Sequence, residues 1–344
     1  MDRGRNQFCL RIGNNNESFD SLLYWFLQFC TVNNENDFPC GIAIPQVFID
    51  EPIDISLVES FSIKAEELGY HSLWVQEKII GSIDTLEPVN LLTYVAAFTS
   101  EIKLGTAVLI GTTRNPILLA KELATLDHLS SGRLILGYAL GGSPRNYHML
   151  GGPSSRRVKH FIESLDVIKQ LWCSDSPSYE GVYWDFENLP FHPKPVQKPR
   201  PPIWFGGRHP HSLRRAVRHG DGWMGAGSTS TSQFVNHVKI IENEINIQRI
   251  ESSEFTISKR VYVAIDDDEE RAENRLRRWF EGNYGNSDMA VNVSVWGSTE
   301  KVIEDLQKVI DAGAQMLMLN PVFDHMWHLS MLREEVIPHL RRIG

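Results

Sequence analysis

Two glycine pairs are the first residues whose placement suggests chemistry. Gly141-Gly142 is followed by Ser143, Arg145 and Asn146, and Gly206-Gly207 is followed by Arg208. Bare main-chain N–H groups at the start of a helix can cradle an anion such as a phosphate, and a nearby guanidinium adds charge. A glycine pair can also do no more than turn a strand into a helix. A second constellation is Glu77-Lys78, just after the apolar run Leu73-Trp74-Val75. A carboxylate beside an ammonium can form an ion pair, handle protons or bind the polar edge of a ligand. An ordinary lysine stays charged near neutral pH, which restricts the proton chemistry. A third candidate is His209-Pro210-His211. Barrel hydrolases place such histidines within a strand, whereas here Pro210 follows a glycine turn at a helix start. No matching carboxylate set accompanies the pair, so no metal site is expected. His325 and His328 read as packing residues of the last helix.

These residues need elements to hold them. From residue 38 onward, short apolar runs alternate with amphipathic helices, the pattern of repeated β/α units on a parallel sheet. Strand candidates are CGIAIP from Cys40, then 71–76, 103–110, 133–138, 203–206, 222–225, 256–265 and 315–320. Helix signals lie between them. Asp54 caps a helix with Leu57, Val58, Phe61, Ala65 and Leu68 on one face. Asn115 and Pro116 open another, with Leu118, Leu119, Leu123 and Leu126 facing inward. Eight such units predict an α/β fold of the (β/α)8 TIM-barrel class. Residues 173–201, rich in aromatics and proline, read as a loop and short hairpin over one end of the barrel, between strands 4 and 5. In such barrels the working residues sit at the C-terminal ends of the strands. That rule selects Pro45 and Gln46, Glu77 and Lys78, 107–111, 141–146, 206–208 and 225–228.

The 344 residues carry 34 Lys and Arg against 43 Asp and Glu, a net charge of −9. This acidic balance argues against a nucleic-acid surface or a basic membrane patch. No run reaches the roughly 18 apolar residues that a membrane helix requires. Residues 1–37, rich in Asn and Ser, show no period and read as a poorly ordered extension before a domain spanning 38–344. The apolar run at 22–30 follows a polar stretch and lacks a cleavage signal, unlike a secretory leader. Cys9, Cys30, Cys40 and Cys173 form no C-x-x-C pair, which fits a reducing cytoplasm.

Three stretches carry a family resemblance: KLGTAVLIGTTRNPILLAKELATLDHLSSGRLILGYALGG, PPIWFGGRHPHSLRRAVRHGDGWMGAG and GSTEKVIEDLQKVIDAGAQMLMLNP. From about Cys40 to the C-terminus the chain resembles the luciferase-like monooxygenases. Within them it looks most similar to oxidoreductases that use the deazaflavin coenzyme F420. The resemblance implies a ring cofactor seated against a strand 3 bulge with a non-prolyl cis peptide. That bulge maps to Ala107-Val108, with Thr106 before it. It implies further cofactor contacts at Gly141, Gly142, Asn146, Gly206, Gly207 and Arg208, and catalytic roles for Glu77 and the next residue. Relatives commonly have histidine where this chain has Lys78. The implied activity is hydride transfer between reduced F420 and a small organic substrate, by a cytoplasmic homodimer. The alternatives on the same fold are an FMNH2-dependent monooxygenase and a non-catalytic flavin-binding relative. Tyr179, Tyr183, Trp184 and Phe186 would form either a lid over the substrate or a packed hairpin, and Trp223 could line the cofactor face.

Overall fold

The structure, a computed structural model, describes residues 37–49, 51–142, 148–153 and 155–342. The extension expected over 1–37 lies outside these residues except for Asp37. Its carboxylate accepts from Arg333 at 2.8 Å, and the same guanidinium donates to Leu68 O at 2.7 Å. The start of the barrel is thereby tied to its last helical segment.

Eight strands are present: β1 (Cys40–Ala43), β2 (Ser72–Val75), β3 (Lys103–Thr106), β4 (Leu134–Ala139), β5 (Ile203–Gly206), β6 (Gly222–Gly225), β7 (Thr256–Ile265) and β8 (Met316–Asn320). Each pairs in parallel with the next, and β8 returns to β1 with Cys40 opposite Leu317. The expected barrel is closed. The interior is filled largely by Trp74 and Trp204, stacked with centroids 5.3 Å apart. Neighbouring strands make room with glycine. A Cβ on Gly41 or Gly105 would lie 2.4 or 2.3 Å from the Trp74 ring. Methionines 224, 316 and 318 pack around the pair.

The connecting helices are α1 (Ile55–Glu67), α2 (Pro88–Ala96), α3 (Pro116–Leu129), α4 (Arg157–Cys173), α5 (Pro210–His219) and α6 (Thr231–Gln248). Beyond β7 come α7 (Glu269–Tyr284), a short strand Ser294–Gly297 beside the end of β7, and α8 (Thr299–Asp311). After β8, α9 (His325–Met331) continues through π and 3-10 turns to His339. Asp54 and Asn115 cap α1 and α3 as expected, each accepting from main-chain N–H groups.

Four expectations are corrected. Leu118 faces outward on α3 at 64% exposure, while Leu119, Leu123 and Leu126 are buried. Strand 3 does not run unbroken over 103–110. Its ladder stops at Thr106, and Leu109–Ile110 pair instead with Tyr138 and Ala139 of β4. The 173–201 excursion does contain a hairpin, Tyr179–Glu180 against Asp185–Phe186, but it lies along α3 and α4. Buried Glu163 of α4 accepts from the N–H groups of Val182 and Tyr183, and His128 of α3 meets Lys194 O at 2.8 Å. Tyr179, Trp184 and Phe186 of this excursion pack against the core. Trp223 does not line the mouth. It stacks on Phe234 of α6 and donates to Gly207 O at 2.9 Å.

Candidate functional site

The break in strand 3 organises one half of the barrel mouth. The Thr106 hydroxyl donates to Gly137 O at 2.8 Å and accepts from Gly137 N at 2.9 Å. This close approach requires glycine on β4, since a Cβ on Gly137 would sit 1.7 Å from Thr106 O. Thr106 is fully buried, so its hydroxyl serves the bulge. The Ala107-Val108 peptide that follows is cis, as the resemblance implied. Ala107 and Val108 are half-buried and form an apolar shelf at the C-terminal end of the strands.

Glu77 supports this shelf from behind. Its side chain has no exposed surface. One carboxylate oxygen accepts from Ile110 N, and the other accepts from Arg114, whose Nε lies at 2.8 Å. Arg114 also reaches Glu87 at 2.7 Å. Burial pushes the Glu77 carboxyl upward, opposed by Arg114 and the Ile110 N–H. Burial works against the charge on Arg114 as well, but Glu77 and Glu87 together outweigh it and raise that group. All the donors point at an ionised carboxylate. Neither oxygen is left over for a ligand.

Lys78 turns the other way. Its Nζ donates to the carbonyl and side-chain oxygens of Asn283, at 3.0 and 3.2 Å. It makes no ion pair with Glu77, and burial lowers its pKa. A cation at the last turn of α7 also complements the helix dipole. Lys78 thus fastens α7 to the β2 loop.

The predicted glycines stand on the shelf side. A Cβ on Gly206 would lie 2.9 Å from Val108 Cγ2 and 3.3 Å from Ala139 Cβ, so β5 passes directly beside the shelf. Gly207 has φ +141° and Gly141 φ +81°, conformations that favour glycine. Among the described residues, a Cβ on Gly142 would meet nothing within 4 Å. Arg157, the first residue of α4, donates to Gly142 O at 3.2 Å. Arg208 is exposed, with no ion pair among the described residues. Asn146 lies outside the described residues. His209 caps α5, its Nδ1 accepting from His211 N at 3.3 Å, which explains the histidine pair as a helix start. Glycine main chain, an apolar shelf and a free arginine fit a planar ring cofactor carrying a phosphate.

The opposite half of the mouth, at the ends of β1, β2, β7 and β8, holds a small cleft, partly open to solvent, whose water-accessible space is about 20 Å³. Gln46, Gln76, Arg260, Asn320 and His325 contribute its polar lining, and Trp74 and Met318 form part of its apolar wall. Gln46 is a brace, exchanging hydrogen bonds with Gln76 N and O and donating to Leu86 O. Helix α7 covers this half with Trp279. The helix is held by Lys78, by the Arg275–Asp324 pair and by Tyr262 against Tyr284 at 2.5 Å.

Sequence reasoning missed Arg114, Trp279, Arg260 and Asn320. One signal was present for Arg260. It stands beside Lys259 inside an otherwise mostly apolar ten-residue strand, where an unneeded charge is costly.

The fold is a closed parallel barrel with an apolar shelf, glycine main chain and a partly covered cleft at one mouth. The chain belongs to the luciferase-like monooxygenase family, whose model matches residues 55–316, about three quarters of its length. The oxygenase component of a flavin-dependent trigonelline monooxygenase from Acinetobacter baylyi is 30% identical over 217 residues, 61% of this chain and 59% of that protein. An F420-dependent glucose-6-phosphate dehydrogenase from Amycolatopsis mediterranei is 24% identical over 323 residues, 84% of this chain and 95% of that protein. For several of the curated relatives, then, the matched part spans only half to three fifths of their length. Among solved structures, an F420-dependent secondary alcohol dehydrogenase holding an F420-acetone adduct superposes with a TM-score of 0.77. It is 19% identical, with 89% of this chain and 99% of that one covered. That likeness supports the fold.

Proposed function

We propose that the protein is an oxidoreductase that transfers a hydride between reduced coenzyme F420 and an organic substrate. The observation that carries this reading is the two-sided mouth. The Ala107-Val108 shelf, where β5 passes so close that a Cβ added to Gly206 would lie 2.9 Å from Val108, stands opposite a small, partly covered cleft at the ends of β1, β2, β7 and β8. A ring lying on the shelf would present its other face to a substrate in that cleft. The near-complete coverage of an F420-dependent relative favours the deazaflavin.

When bound, the deazaflavin supplies two electrons as hydride. The chain's own residues hold and enclose the reactants. Glu77 and Arg114 fix the shelf as positioning residues. Gly141, Gly142, Gly207 and Arg208 take the phosphate end. Helix α7 excludes water, and Lys78 fastens it. Lys78 carries no proton transfer in this scheme, because its ammonium is engaged by Asn283.

The second reading, an FMNH2-dependent monooxygenase, draws on the 30% identity to the trigonelline enzyme. Fluorescence titration with F420 and with FMN separates the two. Saturable F420 binding with weaker FMN binding is expected, and tight FMN binding without an F420 response would overturn the first reading.

We also place the protein in the cytoplasm as a homodimer. Support for the compartment comes from two unpaired thiols, buried Cys40 and exposed Cys173. None of the helices in the described residues is long and apolar enough to cross a membrane. Support for the dimer comes from Tyr94, Leu118 and Leu129 on α2 and α3, which are 40, 64 and 56% exposed. Light scattering checks the dimer.

A further inference from the structure

Arg260 is 8% exposed at the centre of β7. Its Nε and Nη2 both donate to Asn320 Oδ1, at 2.8 and 2.5 Å, and its guanidinium carbon lies 4.8 Å from the Tyr262 ring centroid. Neutral groups thus hold one edge and one face. Nη1 has no acceptor, and no carboxylate pairs with the group, among the described residues. Asp324 pairs with Arg275, and Glu77 and Glu87 pair with Arg114.

The preceding residue sharpens the imbalance. Lys259 is also buried, and its Nζ is surrounded by Ala226 O, Thr229 O, Thr229 Oγ1 and Arg260 O at 2.6–3.2 Å. Neither residue has an acidic partner among the described residues, and burial lowers the pKa of the Lys259 ammonium to about 7. A desolvated charge is normally paired, because uncompensated burial is strongly unfavourable. The cleft beside Arg260 is where a counter-charge can enter.

His325 also lines the cleft, and its Nδ1 is buried with no hydrogen-bond partner among the described residues. Burial, reinforced by His328, holds this ring neutral, with its pKa down to about 4. A neutral imidazole can donate to an anion or accept from a hydroxyl. The rest of the wall, including Trp74, Trp279 and Met318, is apolar.

We infer that this half of the mouth binds a carboxylate on a small apolar body, with Arg260 as the specificity-determining residue and His325 as a neutral second contact. One guanidinium edge offset by no other cation facing the cleft matches a single negative charge. A phosphate dianion would call for a second cation. The inference rests on the oxidoreductase reading only in naming this ligand the substrate.

The full-length protein without cofactor is titrated with benzoate and hexanoate, with their neutral amides and with phenyl phosphate, by calorimetry and thermal shift. The carboxylates are expected to bind at least about tenfold more tightly than the amides. Arg260→Gln should remove that preference. Arg260→Lys, which keeps the charge without the planar fork, should retain part of it. If Arg260→Gln does not fold, the lysine variant and the amide comparison still decide. Equal binding of acid and amide, no binding of either carboxylate, stronger Arg260-dependent binding of phenyl phosphate, or indifference to both substitutions would overturn the inference. Separate F420 and FMN titrations keep the two claims apart. Failure of both cofactors sinks the oxidoreductase reading and leaves carboxylate binding standing, and the converse also holds.

Discussion

Glu77 shows how one buried carboxylate can shape the barrel mouth without facing it. It receives Ile110 N and two guanidinium donors, so it sets where strand 3 resumes after the shelf. Glu77→Ala would leave a buried N–H unsatisfied and Arg114 with Glu87 alone. Removing one member of a buried pair costs about 3–5 kcal/mol. The denaturation midpoint should fall accordingly, and cofactor affinity should fall with it. Arg114→Leu in the Glu77→Ala background should cost less than the sum of the two single changes, because the second substitution removes a charge that has already lost one of its two partners. Additive losses would show that the two residues do not act as a unit. Of this arrangement the sequence displays only the Glu77 end. Arg114 is 37 residues away, and nothing in its spacing reveals that the fold brings it behind the shelf.

At the scale of elements, the mouth is a fixed shelf opposite a fastened cover. Gly206→Ala should test the shelf. The new Cβ would meet Val108 at 2.9 Å and Ala139 at 3.3 Å, and such overpacking costs about 1–3 kcal/mol. The strain falls on the cofactor face, so cofactor affinity should drop about tenfold or more while the fold persists. Unchanged affinity would move the cofactor off Val108. Lys78→Met should test the cover. Losing both bonds to Asn283 should speed amide exchange in residues 279–284 and lower kcat/KM, with little change in cofactor binding. Exchange identical to wild type would mean that Lys78 does not hold α7. Strands 5, 6 and 7 could be read directly from short apolar runs bounded by glycine or polar residues. Helix α2 could not, because Val89, Leu91, Leu92, Val95 and Ala96 make its sequence apolar almost throughout and mask the helical period. The covering role of α7 was hidden for a different reason. Its amphipathic pattern reports a buried face, but the partner of that face is set by the barrel's closure.

Across the whole molecule, several histidines are packed as neutral groups, and this gives the stability a defined pH dependence. His71 sits at the foot of β2, its ring between Ser72 Oγ at 2.9 Å and Lys103 Nζ at 3.3 Å. Burial, helped by Lys103, pushes its pKa from 6.5 down to about 4. His325 is pushed down to about 4 by burial and His328. His328 is lowered by burial too, its Nε2 accepting from Ile265 N at 3.1 Å. Between pH 6.5 and 4 the unfolded chain takes up protons at these positions and the folded chain does not. Stability therefore rises with pH through this window. It is complete above about 6.5, is lost as the pH falls toward 4, and levels off below that. Each tenfold difference in proton affinity is worth about 1.4 kcal/mol, so His71 contributes at most about 3 kcal/mol. Glu77 works in the opposite direction, because its raised pKa makes the folded state the better proton acceptor. A single melting curve would mix these effects, but a difference between variants isolates one. The gap in denaturation midpoint between pH 7 and pH 5 should shrink in His71→Gln relative to wild type, since glutamine does not titrate. An equal gap in both proteins would mean that His71 is protonated in the fold, and the tight packing at the foot of the barrel would have to accommodate a charge beside Lys103.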